Sequence, residues 1–155
     1  MKTILFFNWL FLVICSLGSG SANAQNVSLN IGNITVNNQV QLSEKESIRA
    51  LKSGLSPGAV ISEIYILFHN QHQKYYLAGT IVNDQYTSKA IQLAQDGTVL
   101  RAVSGPGIEI YCSSTSCNTC RSQMPNGNLI CSCMDPNPGK DAVCIMTTRM
   151  MVQLY

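Results

Sequence analysis

SEKESIRALKSGLSPGAVISEIYILF, Ser43 to Phe68, changes its apolar period part-way along, and that change decides the fold class. Ser43 opens a Ser-Glu-Lys-Glu capping box, in which the Ser43 hydroxyl accepts from a free N–H of the first turn and Glu46 reaches back. Ile48, Leu51 and Leu55 follow at helical spacing, Gly54 suits the left-handed residue that ends a helix, and Pro57-Gly58 marks the stop. The pattern predicts a helix over 44–53. From Ala59 the period is two. Val60, Ser62, Ile64, Ile66 and Phe68 face one way, and Ile61, Glu63, Tyr65, Leu67 and His69 the other. The stretch is also rich in β-branched and aromatic residues, so it reads as a strand.

Working outward, Val27, Leu29, Ile31, Ile34 and Val36 nearly alternate with polar residues, a strand with a slip at Gly32. Asn37-Asn38 makes a turn before Val40–Leu42. On the other side, Asn70 to Lys74 is a polar loop, followed by strands at Tyr75–Val82 and Ser88–Ala94. Asp96-Gly97 signals a hairpin into Thr98–Val103, and Gly105-Pro106-Gly107 breaks the pattern before Ile108–Cys112. The layout expected is α+β: one N-terminal helix packed on a curled antiparallel sheet over 25–107, then a disulfide-stapled, cysteine-rich segment over 108–155 with a terminal strand packed on the same domain. The stretch 43–102, and the run Gln92-Leu-Ala-Gln-Asp-Gly-Thr-Val-Leu100 above all, resembles PepSY-like and cystatin-like arrangements of a helix with a curled sheet. That resemblance is one of pattern. It implies a fold and carries no function.

Met1-Lys2, the apolar run Ile4–Leu17 and the small-residue site Ala22-Asn23-Ala24 read as a signal peptide over 1–24, cleaved before Gln25. The run is shorter and more interrupted than the roughly 20 apolar residues of a bilayer span, so no stable span is expected in the mature chain. Cys15 has Ile14 before it where a lipid-attachment cysteine would have a small residue. Without Lys2 the chain carries nine Lys/Arg and eight Asp/Glu, a net charge near +1 that gives no footprint for nucleic acid or an anionic membrane. Charged residues make up 12% of the chain, about half the usual globular share of roughly 25%. Asn26-Val-Ser28 and Asn33-Ile-Thr35 are glycosylation sequons that matter only in a eukaryotic secretory pathway.

Export removes Cys15 and leaves an even set: Cys112, Cys117, Cys120, Cys131, Cys133 and Cys144, spaced C-x4-C-x2-C-x10-C-x-C-x10-C. Few apolar residues lie between Ser113 and Asn128, so staples must supply what burial does not. Three structural disulfides are expected, with fifteen pairings open. An extended Cys131-x-Cys133 points both sulfurs to one face and favours two different partners. The alternative is metal or redox chemistry: a zinc-thiolate site from Cys117, Cys120, Cys131 and Cys133, or a reactive Cys117-Asn-Thr-Cys120 pair.

Elsewhere His69 and His72 could bind a divalent metal with Asp84 or Glu63, though they sit in a polar loop and lack helical two-ligand geometry. No nucleophile–base pair or close carboxylate pair can be nominated, so no catalytic residue is expected. Tyr65, Tyr75, Tyr76 and Tyr86 gather around the central hairpin and could form an adaptable contact surface. The sequence thus reads as a small secreted or periplasmic protein that binds, or inhibits, a protein of the envelope or extracellular space without catalysis or cofactor. A homodimer is possible through the Val27–Val36 strand if its edge is open.

Overall fold

The computed structural model describes residues 28–103, 107–139 and 141–151. The segment 1–24 read as a signal peptide, the Asn26 sequon, Val27 and the Gly105-Pro106 break lie outside the described residues. Within them the chain forms strands β1 (Ser28–Ile34) and β2 (Val40–Leu42), helix α1 (Glu44–Lys52), then β3 (Val60–His69), β4 (Lys74–Val82), β5 (Ser88–Gln92), β6 (Ala94–Asp96), β7 (Val99–Val103) and β8 (Gly107–Ser114). The cysteine-rich part adds β9 (Cys120–Gln123), a single 3-10 turn at Pro125–Gly127, β10 (Ile130–Cys133) and β11 (Cys144–Met151). None of the helices among the described residues is long and apolar enough to cross a membrane.

This architecture is mostly β in three sheets, which corrects the α+β expectation of one helix laid on one curled sheet. A five-stranded antiparallel sheet runs β11-β8-β5-β4-β3, a four-stranded sheet β2-β1-β7-β6, and β9-β10 form a two-stranded ribbon. One feature redirects the chain. The segment read as one strand over 88–94 divides at Leu93, whose N–H donates to the Tyr75 carbonyl (2.9 Å); β5 stays in the larger sheet and β6 leaves it to pair with β7. The hairpin at Asp96-Gly97 therefore belongs to the sheet of β1 and β2, not to the closing edge that the PepSY-like pattern implied. The nine-residue α1 shares its layer with that second sheet instead of covering a face alone.

The larger sheet is covered on both faces. On one lie α1 and the four-stranded sheet, enclosing Ile31, Leu51, Leu77, Ile91, Leu93 and Leu100, with Ile61, Ile64 and Ile66 packed against them. On the other lies the ribbon, over a core of Ala78, Ala90 and Ile110. Strict alternation would set Ile61 opposite Ile64. A β-bulge between Ile61 and Glu63 adds one residue to β3 and brings both onto the helix face. The slip expected at Gly32 is present as a register shift between Asn30 and Gly32. The capping box is not: Ser43 is the N-cap but makes no side-chain cap hydrogen bond, and Glu46 turns to Arg49 (3.8 Å). Gly54 takes the left-handed conformation (φ 74°) that the helix stop requires.

Candidate functional site

The cysteine ribbon is built against the sheet face it covers. The Tyr65 hydroxyl donates to the Ser122 carbonyl (3.0 Å), and the Ser122 N–H donates to the Ser88 hydroxyl (3.0 Å). The Thr87 hydroxyl donates to the Cys120 carbonyl (2.8 Å). Around this seam three disulfides close: Cys112–Cys131, Cys117–Cys133 and Cys120–Cys144. They tie β8 to β10, the loop before β9 to β10, and β9 to β11. Cys131 and Cys133 lie on one extended strand and take different partners, as the geometry of an extended pair requires. The four sulfurs nominated for zinc each go into a bridge, and a bridged sulfur is no thiolate ligand. Zinc-thiolate or redox chemistry would first have to open these bonds.

The four tyrosines do not make one surface. Tyr75 packs on the helix-face core beside Phe68 (ring centroids 4.5 Å apart). Its neighbour Tyr76 must point the other way and is buried. Tyr65 lies under the Arg121 guanidinium (3.9 Å to the ring centroid), which also pairs with Glu63 (3.2 Å). Burial, the largest influence, raises the Tyr65 phenol above its ordinary value despite Arg121. Tyr86 stacks on Tyr111 (4.6 Å) on the opposite face. His69 and His72 stack on each other (4.4 Å), and the His69 Nδ1 accepts from the His72 N–H (3.3 Å). Neither joins a cluster of three metal-ligating groups among the described residues.

Sequence reasoning passed over a buried polar network on the helix face. The fully buried Lys89 Nζ meets Glu109 Oε1 (2.8 Å) and donates to the Ser53 carbonyl at the end of α1 (2.6 Å). The Tyr111 hydroxyl donates to Glu109 Oε2 (2.7 Å). Arg149 lies over the Tyr111 ring (4.8 Å) and donates to the Tyr86 hydroxyl (2.8 Å). Burial pulls the Lys89 pKa below its ordinary value, opposed by Glu109. Burial first, then the Glu109 hydrogen bond and charge, raise the Tyr111 phenol far above its ordinary value. Glu109 borders an apolar cleft of about 230 Å³ with Leu29, Ala50, Ile91 and Ala102, but the network's donors and acceptors are spent on one another. The arrangement anchors the helix end to the sheet.

Among the described residues the buried Ser47 hydroxyl has no hydrogen-bond partner, and backbone at the sheet edges is left unpaired. β1 does not supply the edge on which a dimer was expected, since it lies between β2 and β7. The outer strands β2 and β6 have three residues each, and β3 carries a bulge near its start and the charge of Glu63, with seven unbroken pairs after it. Shortness and bulges are ordinary guards against stray pairing. β11 has neither. Its eight residues pair with β8 without a break, from Cys144↔Ser114 to Met151↔Gly107, and among the described residues no strand pairs with its outer side. Val143 (51% exposed), Ile145 (45%), Met146 (47%) and Met150 (78%) crowd the same edge. Arg149 is the only charged residue in the strand, and proline is missing from it. The Cys120–Cys144 bond pins the strand's start to the ribbon.

No protein-family model matches this chain, and neither a curated protein nor a solved structure matches it.

Proposed function

We propose that this is a small exported, non-catalytic binding protein that acts through protein contacts, adding an extended partner segment to the outer edge of β11. The observation that carries the reading is this long, regular and unguarded edge, with exposed apolar side chains along it and a disulfide at its root. In strand addition, main-chain hydrogen bonds supply affinity and alternate side chains supply selectivity. A pinned strand has already lost the conformational freedom that such binding would otherwise cost. Three disulfides fit the oxidising compartment of a secreted or periplasmic protein, in keeping with the export signal in the sequence. Inhibition of an envelope or extracellular enzyme would be one use of such an edge.

The test is selection of displayed nine-residue peptides on the oxidised protein, with Thr148→Pro selected in parallel. Peptides that bind the parent at least tenfold more tightly than the proline variant, with extended conformation when bound, are expected. Equal enrichment on both proteins overturns the reading.

A further inference from the structure

We infer that the partner seated on this edge is a second copy of the same chain, paired antiparallel about Thr148 to give one continuous ten-stranded sheet. The inference rests on the strand-addition reading and names its occupant.

The backbone directions follow from one hydrogen bond. The Cys112 carbonyl accepts from the Thr87 N–H (2.8 Å), so the polar groups of Cys112 point toward β5. Alternation then turns those of Tyr111 and Ser113 toward β11, where their partners are Thr147 and Ile145. Cys144, Met146, Thr148 and Met150 are left with N–H and C=O directed outward. Two antiparallel copies can therefore dock only in registers that set these even-numbered residues against one another.

Four such registers pair at least five of the eight residues, and charge and apolar matching separate them. An axis at Met146 sets Met146 against its own copy but leaves Met150 beyond the partner's strand. A two-fold axis at Arg149 sets the two guanidinium groups directly opposite, which is unfavourable. An axis at Thr147 sets Ile145 against the partner's Arg149. An axis at Thr148 sets Met146 against the partner's Met150 twice over, on the ribbon face, with Thr148 against its own copy and Arg149 beside a threonine. Only this last register matches the exposed apolar side chains with each other and keeps the charges apart. It is isologous, as a closed dimer needs, and it leaves no β11 edge to propagate a fibre.

An interface made of one strand edge and its flanking side chains falls near the ~1,000 Å² lower bound for stable association, so a dissociation constant on the order of 10 µM is expected. Sedimentation equilibrium on the oxidised protein should show a monomer–dimer equilibrium, and Thr148→Pro should weaken it at least tenfold. The outward Thr148 N–H makes no bond within the sheet, so proline there leaves the ladder to β8 intact. Register is read by cysteine trapping. Thr148→Cys should form a cross-linked dimer under mild oxidant, because directly opposed hydrogen-bonded residues lie about 5.5 Å apart between Cα atoms. Thr147→Cys should not, since its copy lies diagonally, beyond about 7 Å.

A protein that stays monomeric at millimolar concentration, or a proline variant that dimerises as well as the parent, overturns the inference. If the monomer nonetheless selects extended peptides on β11, strand addition stands and only the second copy falls. If it selects none, both fall.

Discussion

Lys89 and Glu109 stand twenty positions apart in sequence, each the one charged residue of its strand, and only the β5–β8 pairing brings them to 2.8 Å. A charge set among apolar neighbours was the one available signal, and it does not name its partner. The network makes alkaline stability a readout of single residues. The Tyr111 phenol, raised above 10.0 by burial and by Glu109, keeps its proton in the folded state when the unfolded chain has lost it. Its contribution is therefore full below pH 10 and falls as the pH climbs past that value. Lys89 acts in the opposite sense, because burial lowers its folded pKa below 10.5 and stability rises toward that pH as the unfolded lysine follows. Tyr111→Phe is expected to cost roughly 1.5–3 kcal/mol at pH 8, where the Glu109 carboxylate loses a donor, and to flatten the loss between pH 9 and 11. Urea midpoints across that range decide it; a variant that loses stability as steeply as the parent would show that Tyr111 is not the titrating group. The tyrosines carry a related lesson. Tyr75 and Tyr76 are consecutive on one strand, so a period of two already forbids a shared surface.

At the scale of the element, local chemistry was legible wherever one segment decided its own conformation. The helix over 44–53, the stop at Gly54, the turn at Asp96-Gly97 and the slip at Gly32 all occur within a residue or so of their reading. The failures are those in which a distant partner chose. Leu93 bonds to Tyr75 and divides a strand, and the bulge after Ile61 reassigns a face. α1 stays in place by fit more than by capping: a Cβ at Gly79 on β4 would lie 2.7 Å from Leu51 Cδ1, 3.0 Å from the Glu63 carbonyl oxygen and 3.2 Å from Ile61 Cγ2. Leu51 is flexible at its tip, but the carbonyl and the branched isoleucine leave it little room to move. Gly79→Ala should therefore destabilise by about 1–3 kcal/mol, whereas Gly139→Ala, with nothing within 4 Å, should stay within about 0.5 kcal/mol of the parent. Equal denaturation midpoints for the two variants would mean that the helix is not held as tightly to β4 as this contact implies.

In the whole molecule the cysteines do more than brace an appendage, because Cys112 lies on β8, an inner strand of the larger sheet, and Cys144 on β11 at its rim. The sequence made the staples visible, but strand order is a long-range property, and so the open edge was sought on β1 and not on β11. Chain entropy hardly distinguishes the three bridges: separations of 16, 19 and 24 residues differ by less than about 0.5 kcal/mol in loop closure, each near 3 kcal/mol. Position distinguishes them. Cys120–Cys144 alone joins β11 to the ribbon, and within the sheet that strand touches only β8. Cys120→Ala with Cys144→Ala should thus lower global stability by about as much as Cys117→Ala with Cys133→Ala, yet loosen β11 selectively. Hydrogen exchange in β11 should accelerate at least tenfold relative to β4 and β5 in the first double variant and not in the second. Self-association and peptide capture should weaken with it. If both double variants exchange alike along β11, the strand owes its order to the β8 ladder alone, and the disulfide's part in presenting the edge is refuted.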